Sequence, residues 1–346
     1  LLTSVLKNDT NRHPLVLLQS SLSQTSLPIL RNILVQNATA KGSPRHNVLF
    51  CVLYQPSSLT VGSSNSIETY DWTDRIPGFG KSDYWDELLS IVEKALEVPS
   101  RSTSIIIDSI DTALLDNGSL AETYKNLSKV CELVKKRPDA RLVLHCQSPS
   151  SLFSLVTQTA FSSSLSHVVT HPPALIAHIA TEFLMPPPPL SPLPKFWSVF
   201  LPISERIYDA ETLVFGTNGE GSGNSTEFVI ELIVREGSGK NRGVERVLEG
   251  WSDSLGGPCD LTALESIKPF TKKQIEIDQA ATPDPTQNLL FNLNLTSSQQ
   301  ESRARVPLPY AHEGTPITSN TPAAIFYDPD SADDIDDDDP DEDLDI

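Results

Sequence analysis

Asp108 closes a run of three isoleucines, and Asp111 follows three residues later. Three consecutive branched apolar residues put bulk on both faces of a strand, which marks a strand covered on both sides in a parallel sheet. In P-loop nucleotide hydrolases the matching strand ends in an acidic residue that helps hold Mg²⁺. That chemistry needs a second part, Gly-x-x-x-x-Gly-Lys-Ser/Thr, between the first strand and its helix. The glycines let backbone N–H groups curl around phosphate and the lysine reaches the terminal phosphates. The corresponding stretch here is Gln19-Ser-Ser-Leu-Ser-Gln-Thr-Ser26, with neither glycine nor lysine. A serine-rich turn binds an anion only weakly, so ATP hydrolysis by this chain alone is not expected. Asp108 and Asp111 then read as strand-end polar residues capping the following turn. A vestigial Mg²⁺ contact at Asp108 is the sharper alternative.

No other cluster in the sequence makes a catalytic or metal site. His167, His171 and His178 lie within twelve residues, and Glu182 falls one turn beyond His178. They read as satisfied structural histidines. Cys51, Cys131, Cys146 and Cys259 form no Cys-x-x-Cys pair, so they read as small buried hydrophobes in a reducing compartment, without zinc. No Gly-x-Ser-x-Gly elbow occurs. The aspartate-rich end lacks the glycine and closing glutamate of a calcium loop. The best basic patch is the glycine-rich stretch Arg235 to Arg246, from which Lys240, Arg242 and Arg246 can reach phosphates. The bland alternative there is a solvated hairpin turn. Expected cofactors and metals are therefore none.

These residues are positioned by strands and helices that alternate along the chain. Pro14–Ser20, Asn47–Tyr54, the isoleucine run, Arg141–Gln147 and His167–Thr170 read as strands, with a short one at Ile67–Tyr70. Between them, Ser26–Gln36, Asp83–Val98, Leu120–Lys136, Pro149–Phe161 and Ala174–Leu184 read as helices. Trp85, Leu88, Leu89, Val92 and Leu96 form an apolar stripe at helical spacing. Strands alternating with helices predict crossover connections and a mainly parallel sheet. Prolines cluster at 185–195, read as a linker or rigid surface turn. Arg206–Gly216, Glu227–Arg235 and Val244–Trp251 alternate apolar and polar residues, which predicts an antiparallel meander on one sheet edge. Leu261–Ile267 reads as a short closing piece.

The chain has 346 residues and a formal net charge of −19. Residues 328–346 carry 12 acidic side chains and no Lys or Arg, leaving 33 acidic against 26 basic residues before them. The body is therefore only mildly acidic, and any nucleic-acid contact has to be local or shared with partners. No apolar run is long enough to span a membrane, and no signal peptide is read. The expected organisation is an α/β domain over 1–270, a linker at 271–288, an apolar segment at 289–310 and a disordered acidic tail at 311–346.

That apolar segment and the tail carry a family resemblance. Phe291-Asn-Leu-Asn-Leu through Val306-Pro-Leu-Pro-Tyr310, then Ile325-Phe-Tyr-Asp-Pro-Asp330, then the aspartate run ending Asp-Leu-Asp-Ile346, resemble the C-terminal signature of the Elongator complex protein 5 family, of fungal type. The motif block covers about 55 residues; the preceding 270 agree in architecture. The resemblance implies a RecA-like fold without nucleotide-binding motifs, matching the missing glycines and lysine. It implies a six-membered ring of two copies each of Elongator proteins 4, 5 and 6. That ring binds tRNA and attaches to the larger Elongator assembly, whose separate catalytic subunit modifies wobble uridine 34. It implies no active site on this chain, and a cytoplasmic and nuclear location. Leu289, Leu290, Phe291, Leu293 and Leu295 are too apolar for a free tail, and their segment is expected to dock on a neighbouring subunit as an added strand followed by a short helix. The alternatives are a degenerate P-loop ATPase acting at a shared subunit interface and an acidic-tailed, chaperone-like binding module.

Overall fold

The structure is a computed structural model, and it describes residues 1–7, 13–39, 45–59, 66–75, 84–97, 102–237 and 243–270. All of these fall in one compact unit, Leu1–Ala281; Thr282–Ile346 divides off as a second unit outside the described residues. In chain order the elements are α1 (Leu2–Lys7), β1 (Leu15–Ser20), α2 (Leu27–Thr39), β2 (His46–Cys51), α3 (Pro56–Leu59) and β3 (Ile67–Asp71). Next come α4 (Tyr84–Leu96), β4 (Thr103–Ile107), α5 (Ile110–Asn117), α6 (Leu120–Lys135), β5 (Ala140–Gln147), α7 (Phe153–Val156) and β6 (Leu165–His171). The chain continues through α8 (Pro173–Glu182), α9 (Leu193–Ser204), α10 (Ile207–Phe215), β7 (Glu227–Arg235), β8 (Val244–Ser252) and β9 (Gly257–Cys259) to a 3₁₀ turn, Leu261–Ala263.

The nine strands form one sheet in the order β3-β2-β4-β5-β1-β6-β7-β8-β9. Pairings from β3 across to β6 are parallel, and those from β6 to β9 are antiparallel. This is the expected class, a mainly parallel α/β sheet flanked by helices and extended by an antiparallel meander.

The isoleucine run is buried at every position of β4. Successive side chains alternate between faces, so Ile105 and Ile107 join one core and Ile106 the other. The first core receives Trp85, Leu88 and Val92 of α4 and Leu127, Val130 and Val134 of α6. The second receives Ile29, Leu30, Ile33 and Leu34 of α2, with Leu2, Val5 and Leu6 of α1. Each such aliphatic side chain contributes about 1.5–3 kcal/mol on burial. A third core lies over the antiparallel part, where Leu175, Ile176 and Ile179 of α8 and Phe196 and Phe200 of α9 cover Val229.

Three expectations are corrected. Arg206–Gly216 is not a strand of the meander but contains helix α10. Its apolar residues Ile207, Ala210, Leu213 and Val214 stand at i, i+3, i+6 and i+7, which is helical spacing, and Ala210 and Val214 are the buried pair. Pro149–Phe161 is helical only over α7. The proline-rich stretch leads straight into α9, with Pro194 in its first turn, where proline is tolerated, and Pro202 inside it. The apolar segment 289–310, the tail 311–346, Lys240 and Arg242 lie outside the described residues.

Candidate functional site

The chain leaves β1 and its neighbour β5 in opposite directions. From β1 it passes through α2 to β2, beyond β5 and β4; from β5 it passes through α7 to β6, on the far side of β1. In open α/β sheets ligands sit at such a reversal, outside the carboxyl ends of the strands. The stretch Gln19–Ser26 occupies this place, and four of its backbone donors are already used. Ser21 N–H donates to Gln24 O at 2.9 Å, and Thr25 N–H to Gly223 O at 2.8 Å. Gln24 N–H donates to Ser21 Oγ at 3.1 Å, and Ser26 N–H to Ser20 Oγ at 2.8 Å. Gln24 is fully buried, and its amide nitrogen donates to Ser225 O at 3.4 Å. A loop some 200 residues away therefore lies directly over the turn. It lies so close that a Cβ on Gly223 would sit 2.0 Å from Leu22 O.

The two aspartates are equally committed. Asp108 accepts from Val52 N–H at 2.7 Å, Leu53 N–H at 3.1 Å and Tyr54 N–H at 2.7 Å, holding the chain after β2. Burial pushes its carboxyl up to about 6, against the pull of those N–H groups. Asp111 accepts from Gln147 N–H at 2.7 Å and from the Ser150 hydroxyl, fixing the chain after β5. Asp108 also meets the Ser109 N–H of its own following turn, whereas Asp111 holds the end of a neighbouring strand rather than the turn after it.

Between them stands His145. Its Nδ1 lies 2.6 Å from Asp108 O, a carbonyl that only accepts, so Nδ1 carries the proton. Its Nε2 then accepts from the Ser20 hydroxyl at 2.7 Å. Burial holds the ring below its ordinary pKa, which keeps it neutral. A serine bonded to a histidine has the geometry of an activated nucleophile. Here both are 1% exposed, and the second ring nitrogen faces a carbonyl, so the pair is a structural tie.

The other histidines among the described residues are also partnered. His13 Nδ1 lies 2.8 Å from Ser166 Oγ, and His46 lies 3.3 Å from Glu68. The His178 ring packs edge-on against Phe183. His167 Nε2 meets Gln19 Oε1 at 2.9 Å, and His171 Nε2 meets Glu231 Oε2 at 3.0 Å. Arg246 Nε lies 3.1 Å from Glu231 Oε1, so this candidate RNA contact is ion-paired on the sheet. Burial pushes the Glu231 carboxyl up, but the His171 bond and the His171 and Arg246 charges bring it below its ordinary value. Sequence reasoning missed this ladder. Its signal was Glu231, a lone charge inside the apolar strand Phe228–Val234. Cys51, Cys131 and Cys146 are buried free thiols, and burial raises each of them, Cys51 to about 12. Among the described residues no group of three His, Cys, Asp or Glu is placed to hold a metal ion, and no helix is long and apolar enough to cross a membrane.

The sequence model of the family described as Elongator subunit Iki1 matches residues 1–328. The chain belongs to that family. Among curated proteins, Elongator complex protein 5 of Mus musculus is 43% identical over 70 residues, 18% of this chain and 23% of that protein. The protein of the same name from Danio rerio is 36% identical over 93 residues, 25% of this chain and 31% of that protein. The matched stretches thus span under a third of these relatives' own length. Among solved structures, a KaiC-like protein of Pyrococcus horikoshii superposes with a TM-score of 0.40 at 9% identity, covering 71% of this chain and 88% of that one.

Proposed function

We propose that this chain is a noncatalytic structural subunit of the Elongator complex. In this reading two copies join two each of Elongator proteins 4 and 6 in a RecA-like hexameric ring. The ring binds tRNA and supports wobble uridine 34 modification by the larger Elongator assembly, in cytoplasm and nucleus. Family membership supports the placement. One observation carries the noncatalytic part: the turn after β1 spends the N–H groups of Ser21, Gln24, Thr25 and Ser26 on the chain's own oxygens. A phosphate cradle needs those donors free. The degenerate-ATPase reading asks the same of Asp108, whose oxygens already accept three N–H groups.

In the same reading Leu289, Leu290, Phe291, Leu293 and Leu295 dock on a neighbouring subunit, and Lys240 and Arg242 reach tRNA. Arg246 is already paired with Glu231 through Nε. Light scattering on the chain, alone and mixed with Elongator proteins 4 and 6, is the direct test. A stable 2:2:2 species with no ATP turnover is the expected result. A monomer that ignores both partners would sink the proposal.

A further inference from the structure

On the face of the sheet covered by α7 and α9, the strands leave a cavity of about 460 Å³ that the crevice chemistry does not use. It lies where the first and third cores fail to meet, over β1, β6, β7 and β8. Ligand pockets run from about 300 to 1,000 Å³ and combine apolar walls with a few placed polar groups. This one has that make-up. Phe153, Val169, Leu201 and Ile233 give it apolar walls, and Gln19, His167 and Arg246 line it with polar atoms.

The polar atoms define the ligand. Gln19 accepts from His167 through Oε1, which leaves the Gln19 amide nitrogen as a donor and His167 Nδ1 as an acceptor. Arg246 uses Nε on Glu231, and its two terminal nitrogens make no hydrogen bond among the described residues. The charges balance. Two cations, Arg235 and Arg246, face two carboxylates, Glu231 and Glu205. Glu231 is saturated by His171 and Arg246, and Arg235 is bound to the carbonyls of Thr157, Gln158, Ser162 and Ser163. A ligand carrying a net charge would unbalance this set. One that is neutral, flat and bears both donors and acceptors on its edge would complete it.

We propose that this cavity binds a neutral heteroaromatic ring of nucleobase type, stacked on Phe153 and read at its edge by Gln19, His167 and Arg246. Amide and guanidinium groups read base edges in this way. Stacking on an aromatic ring is tolerant of base identity. The inference goes beyond the ring reading and does not depend on it. Two sources share the chemistry, a free nucleoside and an unstacked base of single-stranded RNA.

The test titrates the full chain with uridine, adenosine and a short single-stranded oligoribonucleotide by calorimetry. Saturable one-to-one binding of a nucleoside supports the pocket. Binding of the oligonucleotide as well assigns it to RNA, and its absence assigns it to a free nucleoside. Val244 stands 63% exposed on the lining, so Val244→Trp blocks the mouth without touching the Glu231 pairs. Phe153→Leu keeps apolar volume and removes the ring. Each is expected to weaken binding by about tenfold or more, with the thermal midpoint of at least one unchanged. No saturation of either nucleoside by about 5 mM, or binding indifferent to both substitutions, overturns the proposal. Ring assembly with a silent cavity would reject this inference alone.

Discussion

Burial lowers the pKa of His167 from 6.5 to about 4, so its ring is neutral at pH 7. A folded pKa below the unfolded one contributes stability that is complete above about 6.5 and is lost as pH falls toward 4. The gap corresponds to roughly 3 kcal/mol. Asp108 runs the other way. Its folded value of about 6 exceeds its ordinary value of 3.8. Its contribution is therefore present below about 3.8 and lost as pH rises through 6, again by roughly 3 kcal/mol. The two trends oppose each other between pH 4 and 6, so the native protein hides both. His167→Asn separates them. Its destabilisation relative to the native chain is expected to be largest at pH 7 and to shrink by roughly 3 kcal/mol by pH 4. Urea unfolding at several pH values measures this, and a pH-independent difference would mean that the fold does not hold the ring neutral. Arg141 offers a second test. Fully buried, it donates to Val5 O at 3.0 Å, Leu6 O at 3.2 Å and Asn37 Oδ1 at 3.2 Å. The first two oxygens belong to the carboxyl end of α1, where a cation is favoured. Arg141→Met keeps the volume but leaves those carbonyls without their donor. It is expected to cost about 2 kcal/mol or more and to speed proteolysis ahead of β1.

The elements were legible where one signal dominated. β1, β2, β4 and β5 each hold a run of at least three apolar residues, and α4 and α6 carry one clean stripe each. α10 was misread because Tyr208, Ala210 and Val214 fall on one parity, although Ile207, Ala210, Leu213 and Val214 hold helical spacing. The contact of α10 with α8, which no local pattern contains, decided it. α9 went unread because the proline cluster at 185–195 suggested a linker, although Pro192 and Pro194 flank a helix start. The closure of the crevice lay further out of reach. The missing glycines and lysine showed that Gln19–Ser26 cannot cradle phosphate, but nothing nearby shows that a loop at Gly223 seals it. Gly223→Ala tests that seal. A Cβ 2.0 Å from Leu22 O meets backbone that cannot yield cheaply, so the loop must lift. The expected result is a loss of about 2 kcal/mol or more and faster hydrogen exchange at the Thr25 amide. Exchange in β4 should change only with global stability.

At the scale of the molecule, charge and apolarity are separated along the chain. The last 19 residues hold 12 of the 45 acidic groups, while Leu289–Leu295 carry four leucines and a phenylalanine in seven positions. The first is a composition that stays solvated; the second is one that water disfavours, at about 25 cal/mol per Å² of apolar surface left exposed. If the proposed ring forms, the two segments have different work to do. Deleting 289–310 removes the apolar anchor and should leave the chain unable to enter a 2:2:2 species, with the folded domain intact by circular dichroism. Deleting 328–346 removes only like charges, and a tail that repels polyanions should if anything hinder tRNA. That truncation is therefore expected to preserve ring mass by light scattering and to tighten tRNA binding most at low salt, where screening is weakest. Loss of assembly on removing the tail would instead assign the binding to the acidic segment, and with it the chaperone-like alternative.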